Sequence, residues 1–494
     1  MSVKPDPRQQ SGYLTESLAS RIDAAVGPEI RIGVRGEQFN AALGELRQLG
    51  ARFITMFVAG LPEPAITAIL ALRGDLLILS APWAERDRIG LGGIRHPWPA
   101  VRWAEQELLE QELGLRAEVA LTRPDPDLIH HQLEGLDVFA IPFGPVRSGI
   151  FEAIQFQIET GGEDVPRLQT RPFFKRRGIE ARFAGLAPDV AVHVAERVAG
   201  IASCAYASAF SQAVERALGV TATGRACSWR ALYCEHERIA SHLDVIAKEA
   251  DTTALYVGQA RFQILKERIQ RLRALLTGSR FGRGVIVPGG VRTEGMIGLD
   301  EAIAELDSFE LDFARDRRLF LGTASMTDRL IGGGVLERAL VETYSAVGPL
   351  ARGSGVSTDA RHERPYGDYD RLGVRVVVRR ECDAMARVNV RFGEVSESLR
   401  LVRQAVGNLG RGAPALQAPL PAAGTGSACG WAEAPQGELL IWVEITDGLI
   451  GRVHIASPSL RNWALFDHAF PKDVLTDFAF IEHSFGLTPA GADR

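Results

Sequence analysis

The sequence has few cysteines, and they are scattered. Five occur in 494 residues, and no two of them form a Cys-x-x-Cys pair. They are Cys204, Cys227, Cys234, Cys382 and Cys429. An odd, scattered set is typical of a protein kept in a reducing compartment, so we expect free, packed thiols.

Long apolar runs and an excess of positive charge are also missing. The uncharged run at residues 198–214 has 17 residues, which is short for a membrane span and predicts a buried helix. A net charge of -5 argues against a nucleic-acid partner, because phosphate binding needs a concentrated basic face. Residues 1–10 carry charges and prolines without an apolar core, so we expect no signal peptide and a cytoplasmic location.

The chain has enough apolar residues for two hydrophobic cores. At 494 residues and 46% hydrophobic composition it exceeds what one core usually serves. We predict an α+β protein with a small α/β domain over residues 1–130 and a mainly helical large domain with peripheral β-strands over 131–494. The polar segment 125–127, Asp-Pro-Asp, is the expected linker.

Hydrophobic periodicity places the elements of both domains. In the small domain it predicts extended or apolar runs at 29–34, 53–58, 65–72 and 76–80, and helices ending at Gly27 and covering 37–49 and 101–113. In the large domain it predicts a strand at 150–160 turning at 161–162, one long helix from Pro188 to Gly219, helices at 229–249, 253–276 and 299–315, a loop at 413–430 and a strand at 439–445.

One stretch has the frame of a metal-binding motif without its ligands. Residues 177–180 read Arg-Gly-Ile-Glu, sixteen residues follow, and 197–206 read Arg-Val-Ala-Gly-Ile-Ala-Ser-Cys-Ala-Tyr. This resembles the nickel-binding motif of nickel-iron hydrogenase large subunits, in which two cysteines and a histidine stand where this chain has Ala199, Ala202 and Tyr206. Nickel at low oxidation states needs thiolate ligands, and a methyl group donates nothing.

Three further segments carry the same resemblance, in the same order. Residues 235–243 read Glu-His-Glu-Arg-Ile-Ala-Ser-His-Leu, residues 278–291 contain Gly-Ser-Arg-Phe and Pro-Gly-Gly-Val, and residues 348–366 contain Gly-Pro, Arg-Gly-Ser-Gly, Asp359, Arg361 and Pro-Tyr. They resemble the large subunits of membrane-bound, energy-converting hydrogenases and the quinone-facing large subunit of respiratory complex I. Residues before about 130 resemble the small accessory subunit of complex I, which hydrogenase-4 and formate hydrogenlyase large subunits carry fused in front.

The departures from this family predict what the chain has lost. Thr488 and Gly491 stand where hydrogenases have their carboxyl-terminal cysteine pair, so all four thiolates are replaced and we expect no nickel. Complex I places two histidines in a loop whose register here holds Arg147 and Phe151, and its quinone-binding tyrosine aligns with Gly200. We therefore expect no complex I headgroup site, although another pocket is open to quinone.

The residues that remain suggest an electron-transfer role. Glu235, Arg238 and His242 follow i, i+3, i+7 spacing on one helical stripe. The resemblance implies that His242, Arg238 and Arg177 face an iron-sulfur cluster carried by a partner small subunit, with His242 coupling electron arrival to protonation. It also implies that Glu180 passes protons, provided that its pKa is raised. The residues alone equally allow a helix-surface ion-pair ladder and a simple Arg177–Glu180 pair.

The resemblance implies a subunit of a membrane-associated complex that couples electron transfer to ion translocation. Its expected partners are an iron-sulfur small subunit and antiporter-like and anchor subunits in the membrane, with no cofactor bound directly and quinone as an open possibility. The chain itself would lie at the cytoplasmic face of the membrane. A structural adaptor without redox chemistry and a true hydrogenase are the alternatives.

Overall fold

The computed structural model describes residues 22, 29–61, 63–89, 98–99, 101–113, 138–147, 153–292, 299–409, 415–471 and 473–494. The chain divides into two compact units, Met1–Pro124 and Asp125–Arg494. The predicted boundary at residue 130, the linker at 125–127 and the helix ending at Gly27 all lie outside the described residues.

The smaller unit is a mixed four-stranded sheet with helices. Its elements are β1 Glu29–Gly33, α1 Gly36–Gln48, β2 Arg52–Ala59, β3 Ala65–Leu72, β4 Asp75–Pro82, α2 Arg86–Ile89 and α3 Val101–Leu113. The strand order is β1-β4-β3-β2, with β1 parallel to β4 and the other pairs antiparallel. Strands β2 and β3 are almost wholly buried, and Phe39, Leu43 and Leu46 of α1 join their core. The predicted α/β unit is confirmed.

The larger unit is mainly helical. Its strands are β5 Phe139–Phe143, β6 Gln155–Thr160, β7 Arg167–Arg171, β8 Ile286–Val287, β9 Gly290–Val291, β10 Gly426–Ala434, β11 Gly437–Thr446 and β12 Leu449–Ala456. Its helices are α4 Pro188–Ala195, α5 Ser203–Ala217, α6 Gly224–Thr252, α7 Tyr256–Thr277, α8 Leu299–Leu321, α9 Ala324–Leu330, α10 Arg338–Thr343, α11 Gly348–Gly353, α12 Ala360–Glu363, α13 Tyr369–Leu372, α14 Ala384–Asn408, α15 Pro458–Trp463 and α16 Phe478–Phe485. The predicted α+β class is confirmed.

The core of the larger unit forms where α5, α6, α14 and the sheet β10-β11-β12 meet. Helix α5 packs so closely on β10 that a Cβ at Gly430 would lie 2.0 Å from the carbonyl oxygen of Ala209. The segment 413–430 was predicted as a loop, but its last residues begin strand β10. The prediction was wrong there because the strand is set by pairing with β11, which composition does not reveal.

None of the helices in the described part of the chain is both long and apolar enough to span a bilayer.

Candidate functional site

The hydrogenase-like motif lies at a break between two helices. The sequence predicted one helix from Pro188 to Gly219, but α4 ends at Ala195 and α5 begins at Ser203, with a 3-10 turn at Gly200–Ala202 between them. Ala199 and Ala202 have φ values of -138° and -142°, which are not helical. The long-helix prediction is therefore wrong, and both alanines lie at the break.

A buried carboxylate from another helix stabilises this break. Glu237 of α6 accepts hydrogen bonds from the backbone N–H groups of Cys204 (2.7 Å) and Ala205 (3.0 Å) at the start of α5. An acidic group at a helix amino terminus satisfies otherwise unpaired N–H donors. Burial raises the pKa of Glu237 to about 7. A long-range cap of this kind has no local sequence signal, which is why periodicity joined the two helices.

The four positions that carry cysteines in hydrogenases do not form a metal site here. Ala199 and Ala202 are buried and have no donor atom. The hydroxyl of Thr488 accepts a hydrogen bond from the N–H of Ala490. A Cβ added at Gly491 would lie 2.3 Å from the Ser457 hydroxyl, so a cysteine there requires Ser457 to move. Neither the donors nor the space fit nickel thiolate ligation.

Tyr206 replaces the histidine of the motif and also contacts Ser457. Its hydroxyl lies 3.2 Å from the Ser457 Oγ, and the ring is buried. Within the described ranges, no group of three or more His, Cys, Asp or Glu side chains is arranged to hold a metal ion.

Arg177 joins the motif to the last residues of the chain. Its guanidinium donates to the backbone carbonyls of Val198 (2.7 Å), Ala490 (2.5 Å) and Asp493 (3.1 Å). The side chain is only partly buried. Contact of Arg177 with a partner's iron-sulfur cluster stays a prediction. Most of the hydrogen-bond donors of Arg177 are already used within the chain.

Glu180 is held as a carboxylate. It accepts hydrogen bonds from the N–H of Ile455 (2.8 Å) and the Nε of Arg494 (2.8 Å), and His454 lies 3.5 Å away. Burial acts to raise the pKa of Glu180, but Arg494, His454 and the Ile455 N–H together lower it to about 2. The lowered pKa contradicts the raised pKa that a proton-passing role requires. The prediction failed because sequence spacing does not reveal that Arg494 and His454 reach this carboxylate.

We predict that Glu180 contributes a pH-dependent part of the stability. Because its pKa is lowered from 4.5 to about 2, this contribution is present above pH 4.5 and is lost as the pH falls towards 2. The free energy of unfolding gained over Glu180→Gln should therefore fall by about 3 kcal/mol across that window. Urea titrations of the full chain, followed by circular dichroism, measure it. Glu342→Gln, at an exposed surface pair with Arg338, should show no such change, and an equal change in both variants would contradict the assignment.

His242 and Arg238 lie inside the protein. Both side chains are 0% exposed. The Nε2 of His242 is 2.8 Å from Glu394, and its Nδ1 is 3.3 Å from Arg391. Burial lowers the pKa of His242 to about 4, against the opposing effect of Glu394. The prediction that His242 faces a partner's cluster is contradicted, because both ring nitrogens are engaged within the chain and no surface remains.

Arg238 is enclosed in the same way. It donates to the backbone carbonyls of Glu433 and Ala434 and lies 3.3 Å from the Glu235 carboxylate. The predicted cluster-facing role for Arg238 is wrong, and so is the alternative of a surface ion-pair ladder. A helical stripe of charged residues can face either solvent or buried groups of opposite charge, and sequence spacing does not distinguish these two environments.

The matching charges come from four other segments, and together they form the buried ion network. Its members are Glu235, Arg238, His242, Arg352, Asp359, Arg361, Arg391, Glu394 and Glu433. Arg352 lies at its centre and contacts Glu394 (2.8 Å), Glu433 (2.8 Å) and Asp359 (3.4 Å).

Sequence reasoning missed the residues that helix α14 contributes. Arg387, Arg391, Glu394 and Ser398 follow spacings of four, three and four residues and are all buried. This stripe matches the Glu235–His242 stripe of α6 in charge, and the two helices pack together. The sequence did contain a signal for this contact, namely two stripes of charged residues that each repeat at the helical period.

Arg147 lines a cavity of about 310 Å³, which we call the Arg147 cavity. It pairs with Glu482, with Nη1 2.9 Å from Oε2, and its guanidinium stacks over Phe143, Phe156 and Phe478. The cavity is lined by Arg147, Ile201, Ser241, Asp244, Val245, Lys248, Trp463, Glu482, His483, Gly486, Leu487, Thr488 and Pro489. Phe151, the other predicted residue of this loop, lies outside the described residues.

Comparison with known proteins identifies the family. The model of "Respiratory-chain NADH dehydrogenase, 49 Kd subunit" matches residues 250–423. The chain is 30% identical to carbon monoxide-induced hydrogenase of Rhodospirillum rubrum, over 71% of this chain and 97% of that protein. It is 26% identical to formate hydrogenlyase subunit 5 of Escherichia coli, over 72% of this chain and 63% of that protein.

A solved structure shares the fold. A chain of the archaeal membrane-bound sulfane sulfur reductase aligns with a TM-score of 0.67 at 24% identity, over 72% of this chain and 99% of that one. Together with the ordered motifs, the sequence similarities to the relatives and to the family model establish that the chain belongs to the family of large subunits shared by energy-converting hydrogenases and complex I-type NADH-quinone oxidoreductases.

Proposed function

We propose that this chain is the nickel-free large subunit of a membrane-associated oxidoreductase complex. In that complex it docks on an iron-sulfur subunit and on ion-translocating membrane subunits, and electrons pass to a small organic acceptor in the Arg147 cavity. Membership of the family supports assembly into a membrane complex, since one relative is named as the alpha subunit of a membrane-bound hydrogenase and another as a subunit of an NADH-quinone oxidoreductase.

The side chains at the nickel-ligand positions argue against a hydrogenase reaction. Ala199, Ala202 and Gly491 supply no ligand, and Ser457 occupies the space into which a side chain at 491 would point. Thiolates are the ligands that hold nickel in the hydrogenase motif, so this chain lacks the means to bind it.

The position of the Arg147 cavity carries the proposal. Arg147 stands in the register of the complex I quinone loop, and Ile201 follows Gly200, which stands in the register of the quinone-binding tyrosine. Both line one cavity of about 310 Å³, at the lower end of the range for small-molecule sites. The proposed site therefore shares the register of the family's quinone loop but offers different chemical groups.

The lining suits a quinone-like acceptor. Ile201, Val245 and Leu487 give apolar walls for a planar ring, while Ser241 and Lys248 supply donors for its carbonyl oxygens. Reduction adds two electrons from the partner's iron-sulfur cluster and two protons, so that each carbonyl becomes a hydroxyl. The lining provides apolar contact and hydrogen bonding, and no metal is needed at the reacting atoms.

Quinol formation by the purified complex tests this proposal. With the iron-sulfur partner reduced, we expect quinone to be consumed with a matching yield of quinol and no hydrogen evolution. An intact complex that reduces its iron-sulfur clusters but never a quinone would contradict the proposal and support the structural adaptor.

A further inference from the structure

Glu249 is a buried carboxyl group without a partner. It lies near the end of α6 and is 0% exposed. Among the described residues, neither of its carboxylate oxygens has a hydrogen bond. Buried polar groups are nearly always hydrogen-bonded, so this pair of unpaired oxygens calls for an explanation.

Two arginines of α14 are the charges that act on Glu249, and each has one unpaired nitrogen. Arg387 donates through Nε to Ser484 (2.9 Å) and through Nη1 to the carbonyl of Gly334 (2.9 Å), and its Nη2 has no partner in the described chain. Arg391 donates through Nη2 to the carbonyls of Ser484 and Phe485 and through Nη1 to His242, and its Nε has none.

The Glu249 carboxylate and the two arginines that act on it therefore leave two acceptors and two donors buried and unpaired. The oxygens of Glu249, the Nη2 of Arg387 and the Nε of Arg391 are each able to form a hydrogen bond but do not reach one another. Polar, buried atoms in this arrangement are the usual partners of internal water.

The other charged groups nearby act on the arginines. Asp383 and Asp473 act on Arg387, and Glu394 acts on Arg391. On α16, His483 pairs with Thr252, and on α6 itself His242 contacts Arg391. Burial raises the pKa of Glu249 well above its usual value, against the lowering effect of Arg387 and Arg391.

This group adjoins the Arg147 cavity through Arg391, and Glu249 lies one turn of α6 after the lining residue Val245. Val245 and Gly486 line the cavity. A Cβ at Gly486 would lie 2.4 Å from the Nη2 of Arg391 and 3.0 Å from the Cγ2 of Val245. Gly486 therefore lines the cavity and also lies against the Arg391 guanidinium.

We propose that Glu249, Arg387 and Arg391 form a hydrated proton-supplying site, from which Glu249 gives a proton to the acceptor reduced in the Arg147 cavity. This inference rests on the proposed function. The O–H bond of the Glu249 carboxyl breaks and an O–H bond forms on an acceptor oxygen, with the proton carried by the intervening water. The electrons come from the partner's iron-sulfur cluster. The carboxylate left behind is stabilised by the two guanidinium groups and is protonated again from solvent.

Infrared spectroscopy of the full chain tests the proton-holding state without the complex. At neutral pH we expect a carbonyl-stretch band from a protonated glutamic acid, which disappears in Glu249→Gln. Because burial raises the pKa of Glu237 to about 7, the comparison is made in a Glu237→Gln background. Glu342→Gln, which changes an exposed glutamate, should leave the band unchanged.

A band of undiminished intensity in Glu249→Gln would overturn the inference. If that variant does not fold, the same chain with Glu249 intact and carboxyl-¹³C glutamate must still show an isotope-shifted band, and its absence would be equally decisive.

Activity of the assembled complex tests the proton transfer. We expect Glu249→Gln to slow quinol formation on the order of 100-fold, as for loss of a general acid, while reduction of the partner's iron-sulfur cluster stays unchanged. Quinol formation at the unaltered rate would contradict the transfer. If the unmodified complex reduces no quinone, the proposed function fails, but the infrared result still decides whether Glu249 holds a proton.

Discussion

Replacing Ile201 by tryptophan is expected to slow quinone reduction by the complex on the order of 100-fold, because loss of about 3 kcal/mol of acceptor contacts corresponds to that factor. Ile201 lies in the 3-10 turn between α4 and α5 and is 36% exposed, with its side chain lining the Arg147 cavity. Because Ile201 is partly exposed, the larger indole side chain of tryptophan can be accommodated without disturbing the core, but it fills the cavity. The loss should appear chiefly as weaker acceptor binding.

Steady-state rates at several quinone concentrations measure this effect. Ile331→Trp is the matched control, because Ile331 is 60% exposed and does not line the cavity. Cluster reduction in the partner subunit should be the same in both variants. Unchanged quinone kinetics in Ile201→Trp would show that the acceptor binds elsewhere.

Replacing Arg352 by methionine is expected to lower the free energy of unfolding by about 3–5 kcal/mol. Arg352 is 0% exposed and neutralises carboxylates from three segments, Glu394, Glu433 and Asp359. Methionine fills similar space but leaves these carboxylates without their central cation. Removing one partner of a buried ion pair leaves an uncompensated charge, which is the costly case.

Urea unfolding of the full chain measures the Arg352 effect. Arg352→Lys keeps the charge but not the branched contacts, so its loss should be intermediate. Arg271→Met, at a 75% exposed surface pair with Glu267, should change stability by less than about 1 kcal/mol. A comparably small change for Arg352→Met would mean that the buried ion network does not hold the segments together.

Local pattern was sufficient where apolar residues run continuously along a strand or repeat at the helical period. The apolar runs at 65–72 and 76–80 became β3 and β4, and the charged helix at 101–113 was found with the same bounds. The local pattern was insufficient where residues distant in sequence determine the backbone conformation. Glu237 ends the predicted long helix by capping α5 from another helix, and pairing with β11 converts the end of an Ala/Pro/Gly-rich segment into β10.

The motif segments come together in the fold, but the sequence misjudged the surroundings of His242, Arg238 and Glu180. The motif residues do converge, since Arg177 joins Val198 to Ala490. The state of each ionisable group could not be read from spacing, because it depends on burial and on residues far away in the sequence. His242 meets Glu394, and Glu180 meets Arg494. His242 therefore lies in the interior, and Glu180 is kept ionised.

The nickel content of the purified complex tests the central claim most directly. It is measured by elemental analysis alongside the iron of the partner's clusters. We predict iron in stoichiometric amounts and nickel at background, because Ala199, Ala202, Thr488 and Gly491 offer no thiolate and Ser457 closes the space beside Gly491. One nickel for each copy of this chain would contradict the account.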